Sequence, residues 1–406
     1  MQSSSRRVVV TGMGIVSSLG NELDQVAKAL YDGRSGIVFN DEFERVGLRS
    51  HVSGNIQIDD ARIDRKTQRF MGLATRYGYL ALMDALEQAG LTQEKISDPS
   101  TGLIVGSGGV ASEDLLEALQ QMERGGIRKV GPYRVIREMA SAPSALLATE
   151  FKIKGPSFTV SSACATSAHC IGEAYLKIKH GLLDTVIAGG VDHAHWTQAF
   201  QFDGMGALST SFNQAPQQAS RPYDQDRDGF VISGGAGMLV LEDEATALAR
   251  GATIYGEVVG YGASSDGDSM VQPSGEGGER AMKLALADAG VEQVDYVNTH
   301  GTSTPAGDIT ELKSIARVFA QRCPFISSTK SLSGHGLGAA GVQEAIYTLL
   351  MIKHKFIAAS VNIEHADPVA AELPVVTMSQ PHMIATALSN SFGFGGTNAS
   401  LIFKRY

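Results

Sequence analysis

Short apolar runs alternate along the chain with longer segments of helical periodicity. The runs are almost continuously apolar, which is typical of strands buried on both faces of a sheet. Segments 76–90 and 278–290 instead repeat apolar residues at three- and four-residue intervals, which predicts amphipathic helices. The alternation predicts an α/β protein with largely buried sheets. The predicted strands lie at 6–12, 101–108, 184–190, 237–242, 253–262, 294–301, 324–330, 356–362 and 399–404.

Two segments of the chain resemble each other. Residues 161–180 and 327–354 both begin with Ser-Ser after an apolar run and end in Ile-Lys-His, and the second has eight more residues. Such an internal repeat indicates a duplicated unit. We expect two halves, 1–250 and 251–406, in which Cys164 and Lys330 occupy matching positions at the starts of equivalent helices that meet.

The composition indicates a soluble globular protein. Of 406 residues, 43% are hydrophobic and 19% charged, which suits two domains or one large duplicated domain. No run reaches the roughly 18 apolar residues of a membrane span, and the N-terminus lacks the apolar stretch of a signal peptide. Three dispersed cysteines argue against a disulfide framework. We therefore expect a cytoplasmic protein without membrane association.

The net charge of −9 argues against nucleic-acid binding. Because surface fields are screened beyond about 10 Å at 0.1 M salt, a local basic patch could still bind an acidic partner. Two basic segments are candidates, although solvated surface charge is the simpler interpretation. They are 62–69, where Arg65 and Arg69 share a helical face, and 124–129, with Arg124, Arg128 and Lys129.

Cys164 lies where a strand-like run changes to a helix, in FTVSSACATSAHC at 158–170. The unpaired N–H groups and the dipole of a helix N-terminus can lower a thiol pKa from about 8.5 to roughly 3.5–7.5. Cys164 is therefore a candidate nucleophile, with packing as the alternative. Cys170, deeper in the same helix, and Cys323 are interpreted as inert.

Two histidines follow predicted strands, where α/β proteins place ligand-binding loops. His300 ends the strand at 294–301, and His335 lies between glycines in KSLSGHGLGAAG. Either could assist a thiol, or could be a hydrogen-bonded structural residue. His193 and His195 form a His-x-His pair, but no further ligand completes a site, so no metal is predicted.

Three further motifs have structural as well as functional interpretations. Residues 12–17, GMGIVS, carry serine in place of the third glycine of a dinucleotide loop, so no nicotinamide cofactor is predicted. Asp308 and Glu311 form D-x-x-E before an apolar helix, which is typical of a capping box. The glycines around Phe394 in SNSFGFGGTN could direct backbone N–H groups at an anion, or simply make a hairpin.

Four motifs, taken in order, resemble those of the β-ketoacyl-[acyl-carrier-protein] synthases, elongating condensing enzymes of the thiolase superfamily. The similarity runs nearly from end to end. It implies two βαβαβαββ halves in a thiolase-like, five-layered α-β-α-β-α fold, normally a homodimer. The motifs are SSACATSAHC at 161–170, NTHGTSTPAGD at 298–308, STKSLSGHGLGAAG at 328–341 and SNSFGFGGTNAS at 389–400.

The resemblance also implies roles for particular residues. Cys164 matches the acyl-accepting nucleophile, His300 and His335 complete a Cys-His-His set, and the amides of Cys164 and Phe394 match the oxyanion hole. The other implied residues are the catalytic Lys330 with its partner Glu344, the supporting acids Glu311 and Asp308, the gate Phe392, the substrate-binding Thr302 and Thr304, and carrier docking by Arg65, Lys66, Arg69, Arg128 and Lys129.

The reaction implied is a decarboxylative condensation. An acyl group passes from acyl carrier protein to Cys164, and malonyl carrier then loses CO₂ to form an enolate that attacks the thioester. Two neutral histidines would stabilise the enolate as its charge develops. This chemistry requires no metal or other cofactor, because phosphopantetheine arrives on the carrier protein.

Several rival classes differ at single positions. A thiolase needs a second catalytic cysteine where Phe394 stands, and chain-initiating or chalcone-type enzymes carry asparagine in place of His335. A non-catalytic chain-length partner lacks the nucleophile, and a redox-sensing thiol protein needs a resolving cysteine. A polyketide ketosynthase has the same catalytic set and is the nearest alternative.

Residues 189–204, GGVDHAHWTQAFQFDG, are less typical of the family than the rest of the chain. They are expected near the acyl pocket and the dimer interface. Gly109 and Phe202 are expected to line that pocket. Its depth, and with it the preference for acyl length and unsaturation, stays open.

Overall fold

A computed structural model of the chain describes residues 5–109 and 111–406. Its strands follow most of the predicted apolar runs. They are β1 Val8–Val16, β2 Ile37–Phe39, β3 Val52–Gly54, β4 Thr101–Gly106, β5 Ser157–Phe158, β6 Thr185–His193, β7 Gly234–Asp243, β8 Gly256–Ser265, β9 Tyr296–Asn298, β10 Phe325–Ser327, β11 Phe356–Ile357, β12 Gln380–Pro381, β13 Thr386–Gly393 and β14 Thr397–Lys404.

The helices fall between these strands. Both segments with the clearest helical periodicity form long helices, α4 and α13. The helices are α1 Leu23–Asp32, α2 Asp41–Arg45, α3 Arg65–Gln68, α4 Leu73–Ala89, α5 Gln93–Ile96, α6 Ser112–Gly125, α7 Ile127–Val130, α8 Arg134–Glu138, α9 Ala142–Glu150, α10 Thr166–Lys179, α11 Trp196–Gly204, α12 Glu244–Ala249, α13 Glu276–Ala289, α14 Pro305–Val318, α15 Lys330–Ser333, α16 Ala340–His354 and α17 Pro368–Ala371.

The main sheet has the strand order β10-β9-β13-β14-β8-β1-β7-β6-β4-β5. Its two halves, β5-β4-β6-β7-β1 and β10-β9-β13-β14-β8, have the same pattern of parallel outer pairs and antiparallel inner pairs. They join where β1 pairs antiparallel with β8, with Val8 opposite Val258. The predicted duplicated α/β fold is confirmed. The predicted boundary at residue 250 lies between α12 and β8.

Helices α10 and α16 lie between the two halves of the sheet. Both contact β6 and β7 of the first half and strands of the second half, β8 and β14 for α10 and β13 for α16. Helix α4 covers the outer face of the first half, and α13 covers that of the second. Along β14, Leu401 and Phe403 face the central helices whereas Ile402 faces α13, as strand geometry requires. The layers therefore run helix, sheet, helix, sheet, helix.

Glycines let the outer helices approach the sheet closely. A Cβ at Gly14 of β1 would overlap the carbonyl oxygen of Ala81 in α4, and a Cβ at Gly262 of β8 would overlap that of Ala281 in α13. The 12–17 motif therefore lies in β1 except for Ser17, and its glycines serve helix packing. The equivalent contact at Gly262 is a further sign of the duplication.

One predicted strand is shorter than expected, and one long strand of the main sheet was not predicted. Of the run 356–362, only Phe356–Ile357 forms a strand, and it pairs with β12 outside the main sheet. Strand β13 was not among the predicted strands, because its buried residues include Ser389, Asn390 and Ser391. A search for apolar runs overlooks a strand whose polar side chains are buried at a site.

The expected match between Cys164 and Lys330 is also wrong. The helix that corresponds to α10 is α16, which begins at Ala340, whereas Lys330 begins the separate short helix α15. The additional residues of the second repeat form α15 and the turn that carries His335. The two repeats agree again at their last turns, which end at Lys179 and His354.

Within residues 5–109 and 111–406, no helix combines the length and apolar character required to cross a membrane.

We expect Gly262→Ala to destabilise the protein. The added Cβ would lie 2.5 Å from the Ala285 nitrogen and overlap a backbone oxygen that cannot move without displacing α13. Overpacking of this kind typically costs about 1–3 kcal/mol. The measurement is the free energy of unfolding in urea. Gly204→Ala is the matched control, since a Cβ there meets nothing within 4 Å, and equal stability of the two variants would contradict the packing argument.

Candidate active site

Three predicted residues from separate elements converge at one end of the central helices. The sulfur of Cys164 and one ring nitrogen of each of His300 and His335 all lie within 4.8 Å of one another. Cys164 precedes α10, His300 follows β9, and His335 follows α15. The three residues line a cavity of about 390 Å³ that also contacts Thr302, Thr304, Phe392 and Phe394.

The turn before α10 holds Cys164 in place. Ala163 has a left-handed backbone with φ 49°, which is uncommon for a residue with a side chain. Thr166 maintains this turn, because its hydroxyl donates to the Ala163 carbonyl at 2.7 Å and accepts from the Ser162 N–H at 2.8 Å. The sulfur therefore lies at the helix entrance, half-buried and facing the cavity.

Burial dominates the electrostatics of the thiol. It raises the pKa of Cys164 to about 12, while the Lys330 cation and the backbone N–H groups of Cys164 and Phe394 act in the opposite direction. Asp192 adds to the upward shift. The backbone N–H at the helix start therefore acts in the expected downward direction, but burial outweighs it, so the pKa of this thiol is raised overall. The raised pKa favours a neutral thiol, which lies beside groups that favour its anion.

The structure favours one tautomer of His335. Its ring is buried, and Nδ1 accepts the Leu337 backbone N–H at 3.3 Å, which leaves the proton on Nε2. Within the described chain, Nε2 has no hydrogen-bond partner. Burial and the Lys330 cation lower the pKa of His335 well below its ordinary value. A neutral imidazole thus presents an unused N–H donor in the site.

His300 is held by its backbone. The N–H groups of His300 and Gly301 donate to the Glu311 carboxylate at 2.9 and 2.8 Å, and the Asn390 amide donates to the same carboxylate at 3.0 Å. Burial, Lys330 and His335 lower the pKa of His300 well below its ordinary value. The two imidazole rings meet edge to face, with centroids 5.3 Å apart. Both imidazoles are therefore neutral.

Lys330 and Glu344 form a buried ion pair behind the histidines. Burial raises the pKa of Glu344, and the Lys330 ammonium opposes that shift. A buried cation must be paired because isolated charge is costly away from water. Lys330 therefore supplies the positive field of the site.

The β13–β14 hairpin closes the site on the other side. Phe392 lines the cavity with its ring centroid 6.0 Å from that of His300, and Phe394 is 39% exposed at the tip. The glycine motif therefore makes a hairpin and also directs the Phe394 N–H at the sulfur. The two interpretations of this motif are compatible.

The loop after β9 differs from the expected capping box. Helix α14 begins at Pro305, before Asp308, and Asp308 accepts the N–H groups of Ser303 and Thr304 at 3.0 and 3.3 Å. In a capping box the Glu311 carboxylate would accept the Asp308 N–H, but here it accepts the N–H groups of His300 and Gly301. Both acids therefore shape the histidine loop, and Thr302 lies on it within 3.0 Å of the Thr304 hydroxyl.

The two expected pocket residues line different cavities. Phe202 lies in the main cavity, where its ring contacts Phe230 and Phe394. Gly109 lines a separate space of about 30 Å³ beside Gln198. The structure therefore brings Phe202, but not Gly109, to the cavity of the thiol.

An aromatic contact connects residues that follow the two basic segments. Phe70, next to Arg69, packs on Tyr133 with ring centroids 4.7 Å apart, which joins the segment at 62–69 to the one near 128. Five of the predicted basic residues are exposed and form no ion pair within the described chain, whereas Arg62 of the first segment is paired with Asp84. We call these five the basic patch, defined as Arg65, Lys66, Arg69, Arg128 and Lys129.

The other candidate groups do not join the site. Cys170 is buried in the core, and Cys323 is half-buried elsewhere. His193 contacts Glu113, and His195 accepts the Thr197 N–H. In the described part of the chain, the Cys-His-His set is the one group whose ligand atoms are close enough to hold a metal. The Nε2 proton of His335 suits hydrogen-bond donation instead.

Sequence reasoning missed two buried polar residues of the site. Asn390 donates to Glu311, and Asp192 accepts N–H groups from the loop after β4 and from the turn after His335. Asn390 belongs to a quoted motif, and Asp192 to the atypical stretch 189–204. A polar side chain within a largely apolar run was the feature of the sequence that could have identified both residues.

Comparisons with known proteins give one consistent family. The chain matches the models of the β-ketoacyl synthase N-terminal domain over residues 5–247 and of its C-terminal domain over 255–364. It is 52% identical to 3-oxoacyl-[acyl-carrier-protein] synthase 1 of Haemophilus influenzae, covering 99% of each chain. It is 53% identical to the Escherichia coli K12 protein of the same name, covering 98% of this chain and 99% of that protein.

Solved structures agree with these matches. A β-ketoacyl synthase from Burkholderia phymatum STM815 superimposes with TM-score 0.93 at 37% identity, covering 99% of this chain and all of that one. A type II polyketide ketosynthase, AntDE, in complex with its acyl carrier protein AntF, superimposes with TM-score 0.92 at 27% identity and the same coverage. The thiolase-like fold is therefore confirmed.

We expect alkylation of Cys164 by iodoacetamide to accelerate steadily with pH. Because only the thiolate reacts, a raised pKa means a tenfold gain per pH unit, without a plateau, between about pH 7 and pH 10. Rates would be followed by mass spectrometry, with Cys164→Ser giving the background from Cys170 and Cys323. A plateau reached by about pH 7 would contradict the dominance of burial.

Proposed function

The chain belongs to the β-ketoacyl synthase family, and we propose that Cys164, His300 and His335 carry out the family's condensation on this chain. The enzyme is an acyltransferase of fatty-acid elongation. The observation that carries the proposal is the convergence of a thiol and two neutral imidazoles, whose ligand atoms lie within 4.8 Å of one another, in the lining of the main cavity.

The first step loads the enzyme. The Cys164 sulfur attacks the thioester of acyl carrier protein, a new carbon–sulfur bond forms, and the carrier's phosphopantetheine leaves as its thiol with the proton lost by Cys164. Lys330 and the two backbone N–H groups near the sulfur lower the cost of its transient anion. A covalent intermediate divides one difficult condensation into two easier steps.

The second step generates the carbon nucleophile. Malonyl carrier enters the emptied cavity, and its carbon–carbon bond to the carboxylate breaks to release CO₂. The electron pair remains as an enolate whose negative charge lies on the thioester oxygen. Donors that face this oxygen stabilise charge that is absent from the ground state, which is how they accelerate the reaction. The unpartnered Nε2–H of His335 and the nearby ring of His300 suit that role.

The third step joins the two fragments. The enolate carbon attacks the Cys164 thioester, and the resulting oxyanion receives the N–H groups of Cys164 and Phe394. Collapse expels the Cys164 thiolate, which recovers a proton, and 3-oxoacyl carrier leaves. Together the three steps consume acyl carrier, malonyl carrier and one proton, and they yield 3-oxoacyl carrier, free carrier and CO₂. They need no metal or resident cofactor.

The basic patch suits an acidic carrier protein. Its charges are exposed and come from two segments joined by Phe70 and Tyr133. AntDE, a structural neighbour, is a ketosynthase in complex with an acyl carrier protein. We propose that carrier protein docks on this patch.

We also propose that the protein is a homodimer of the cytoplasm. Helix α6 exposes Leu115, Leu119 and Met122 on one face, and the edge strand β5 exposes Phe158. A second copy could cover such an apolar edge. Three unpaired cysteines suit a reducing compartment.

We expect His300→Ala and His335→Ala to reduce CO₂ release from malonyl carrier by about 10²–10³-fold, the usual effect of losing one oxyanion donor. Transfer of a labelled acyl group to Cys164 should fall much less, because Lys330 and the backbone N–H groups remain. His365→Ala, at an exposed position, is the control, and Cys164→Ser should not acylate. Equal losses in both assays would show that the histidines act on the thiol.

We expect the double reversal Lys66→Glu and Arg69→Glu to raise the KM for acyl carrier protein, with little effect on acyl-CoA. Charges at the rim of an interface act mainly on encounter rate and salt dependence. The matched control is Lys404→Glu with Arg405→Glu, an exposed pair at the opposite end of β14 from the Phe394 hairpin. Equal loss with both substrates would assign the patch a structural role.

A further inference from the structure

Asp192 is a buried carboxylate that the three steps do not use. It lies at the end of β6, and its side chain is 3% exposed. One carboxylate oxygen accepts the Gly108 N–H at 2.9 Å and the Gly338 N–H at 2.6 Å, and the other accepts the Ser107 hydroxyl at 3.0 Å. Burying a carboxylate is costly unless it is hydrogen-bonded, and a satisfied buried network of this kind is rigid.

Two of the donors, Ser107 and Gly108, belong to the loop beside the nucleophile. Because β4 and β6 are parallel, with Gly106 opposite Gly190, both strands end at the same edge, and the Ser107–Gly109 loop meets Asp192 there. This loop also holds the thiol segment, since the Ser161 hydroxyl donates to the Ser107 carbonyl at 2.9 Å. One end of the network therefore lies at Cys164.

The remaining donor, the Gly338 N–H, belongs to the turn after His335. Gly338 follows Leu337, whose backbone is left-handed with φ 53°. A non-glycine residue keeps such a conformation only where surrounding contacts hold it. The same Leu337 directs its N–H at His335 Nδ1. By holding the Gly338 N–H, Asp192 fixes the peptide next to the one that sets the tautomer of His335.

The space around the carboxylate is shaped for it. A Cβ at Gly338 would lie 2.6 Å from the Asp192 oxygen, and a Cβ at Gly108 would lie 3.0 Å from the same oxygen and from the Ala163 carbonyl. Only glycine at both positions lets the two backbone N–H groups reach one oxygen. Gly108 and Gly338 therefore leave the space in which Asp192 can hold both backbone N–H groups.

We propose that Asp192 is a positioning residue that ties the turn after His335 to the loop beside Cys164, and so keeps the His335 Nε2 proton facing the cavity. This inference rests on the proposed function, in which that proton stabilises the enolate. Asp192 itself does not touch substrate.

The test compares Asp192→Ala with Asp192→Asn. Alanine leaves two buried N–H groups without an acceptor and frees the turn after His335. CO₂ release from malonyl carrier should therefore fall about 10- to 100-fold, which is less than the loss expected when the His335 donor is removed altogether. Acyl transfer to Cys164 should fall much less. Asparagine can place its amide oxygen on the two N–H groups and donate to the Ser107 hydroxyl. It should therefore restore most of the activity without the charge.

A spectroscopic readout separates positioning from general damage. In ¹⁵N-histidine-labelled enzyme, the His335 signals, assigned by their loss in His335→Ala, should show a bare Nδ1 and a protonated Nε2. Asp192→Ala should convert them to a mixture of tautomers, and Asp192→Asn should not. Asp203→Ala is the matched control, a buried carboxylate from the same segment that accepts the Arg49 N–H at 2.9 Å. It should leave the His335 signals unchanged.

Two outcomes would overturn the proposal. One is an unchanged His335 tautomer with full CO₂ release in Asp192→Ala. The other is an Asp192→Asn enzyme that loses as much CO₂ release as Asp192→Ala while its His335 tautomer is unchanged. That result would show that Asp192 acts through its negative charge and not by positioning. If Asp192→Ala does not fold, Asp192→Ser, too short to reach Gly338, takes its place. Absence of CO₂ release from the unaltered enzyme would instead overturn the proposed function.

Discussion

The contact between the first turns of α10 and α16 sets the distance between the two halves of the active site. The Ser167 hydroxyl accepts the Val342 N–H at 2.9 Å, and a Cβ at Gly341 would lie 2.7 Å from the Ala168 nitrogen. Small residues at this crossing allow the helices to approach, and both are buried between the halves of the sheet. The thiol of the first half and the histidines of the second half therefore share one cavity.

One buried ion pair organises the electrostatics of that cavity. The Lys330 ammonium, which is paired with Glu344, lowers the pKa of the thiol and of both histidines. Burial favours neutral forms of the thiol and of both imidazoles, so in the proposed mechanism charge appears only as the reaction proceeds. Fixed donors are most effective under those conditions, since the surroundings contain little water to compete with them.

The fixed donors depend on backbone geometry that distant carboxylates maintain. Glu311 holds the two N–H groups at His300, and Asp192 holds the turn after His335. Left-handed residues at Ala163 and Leu337 complete the arrangement. Each histidine is thus neutral because of burial and oriented because a carboxylate holds its main chain.

The sequence by itself determined the α/β class, the duplication, and the residue types for thiol chemistry, because apolar periodicity and local motifs are properties of neighbouring residues. Cys164 and the two histidine loops were therefore identifiable. The tertiary structure alone decided that burial raises the pKa of this thiol, that α15 separates Lys330 from the helix equivalent to α10, and that Gly109 lies outside the main cavity. It also decided the role of Asp192, whose donors come from residues 107–108 and 338. Desolvation and long-range hydrogen bonds depend on which distant segments meet, and only the folded chain specifies that.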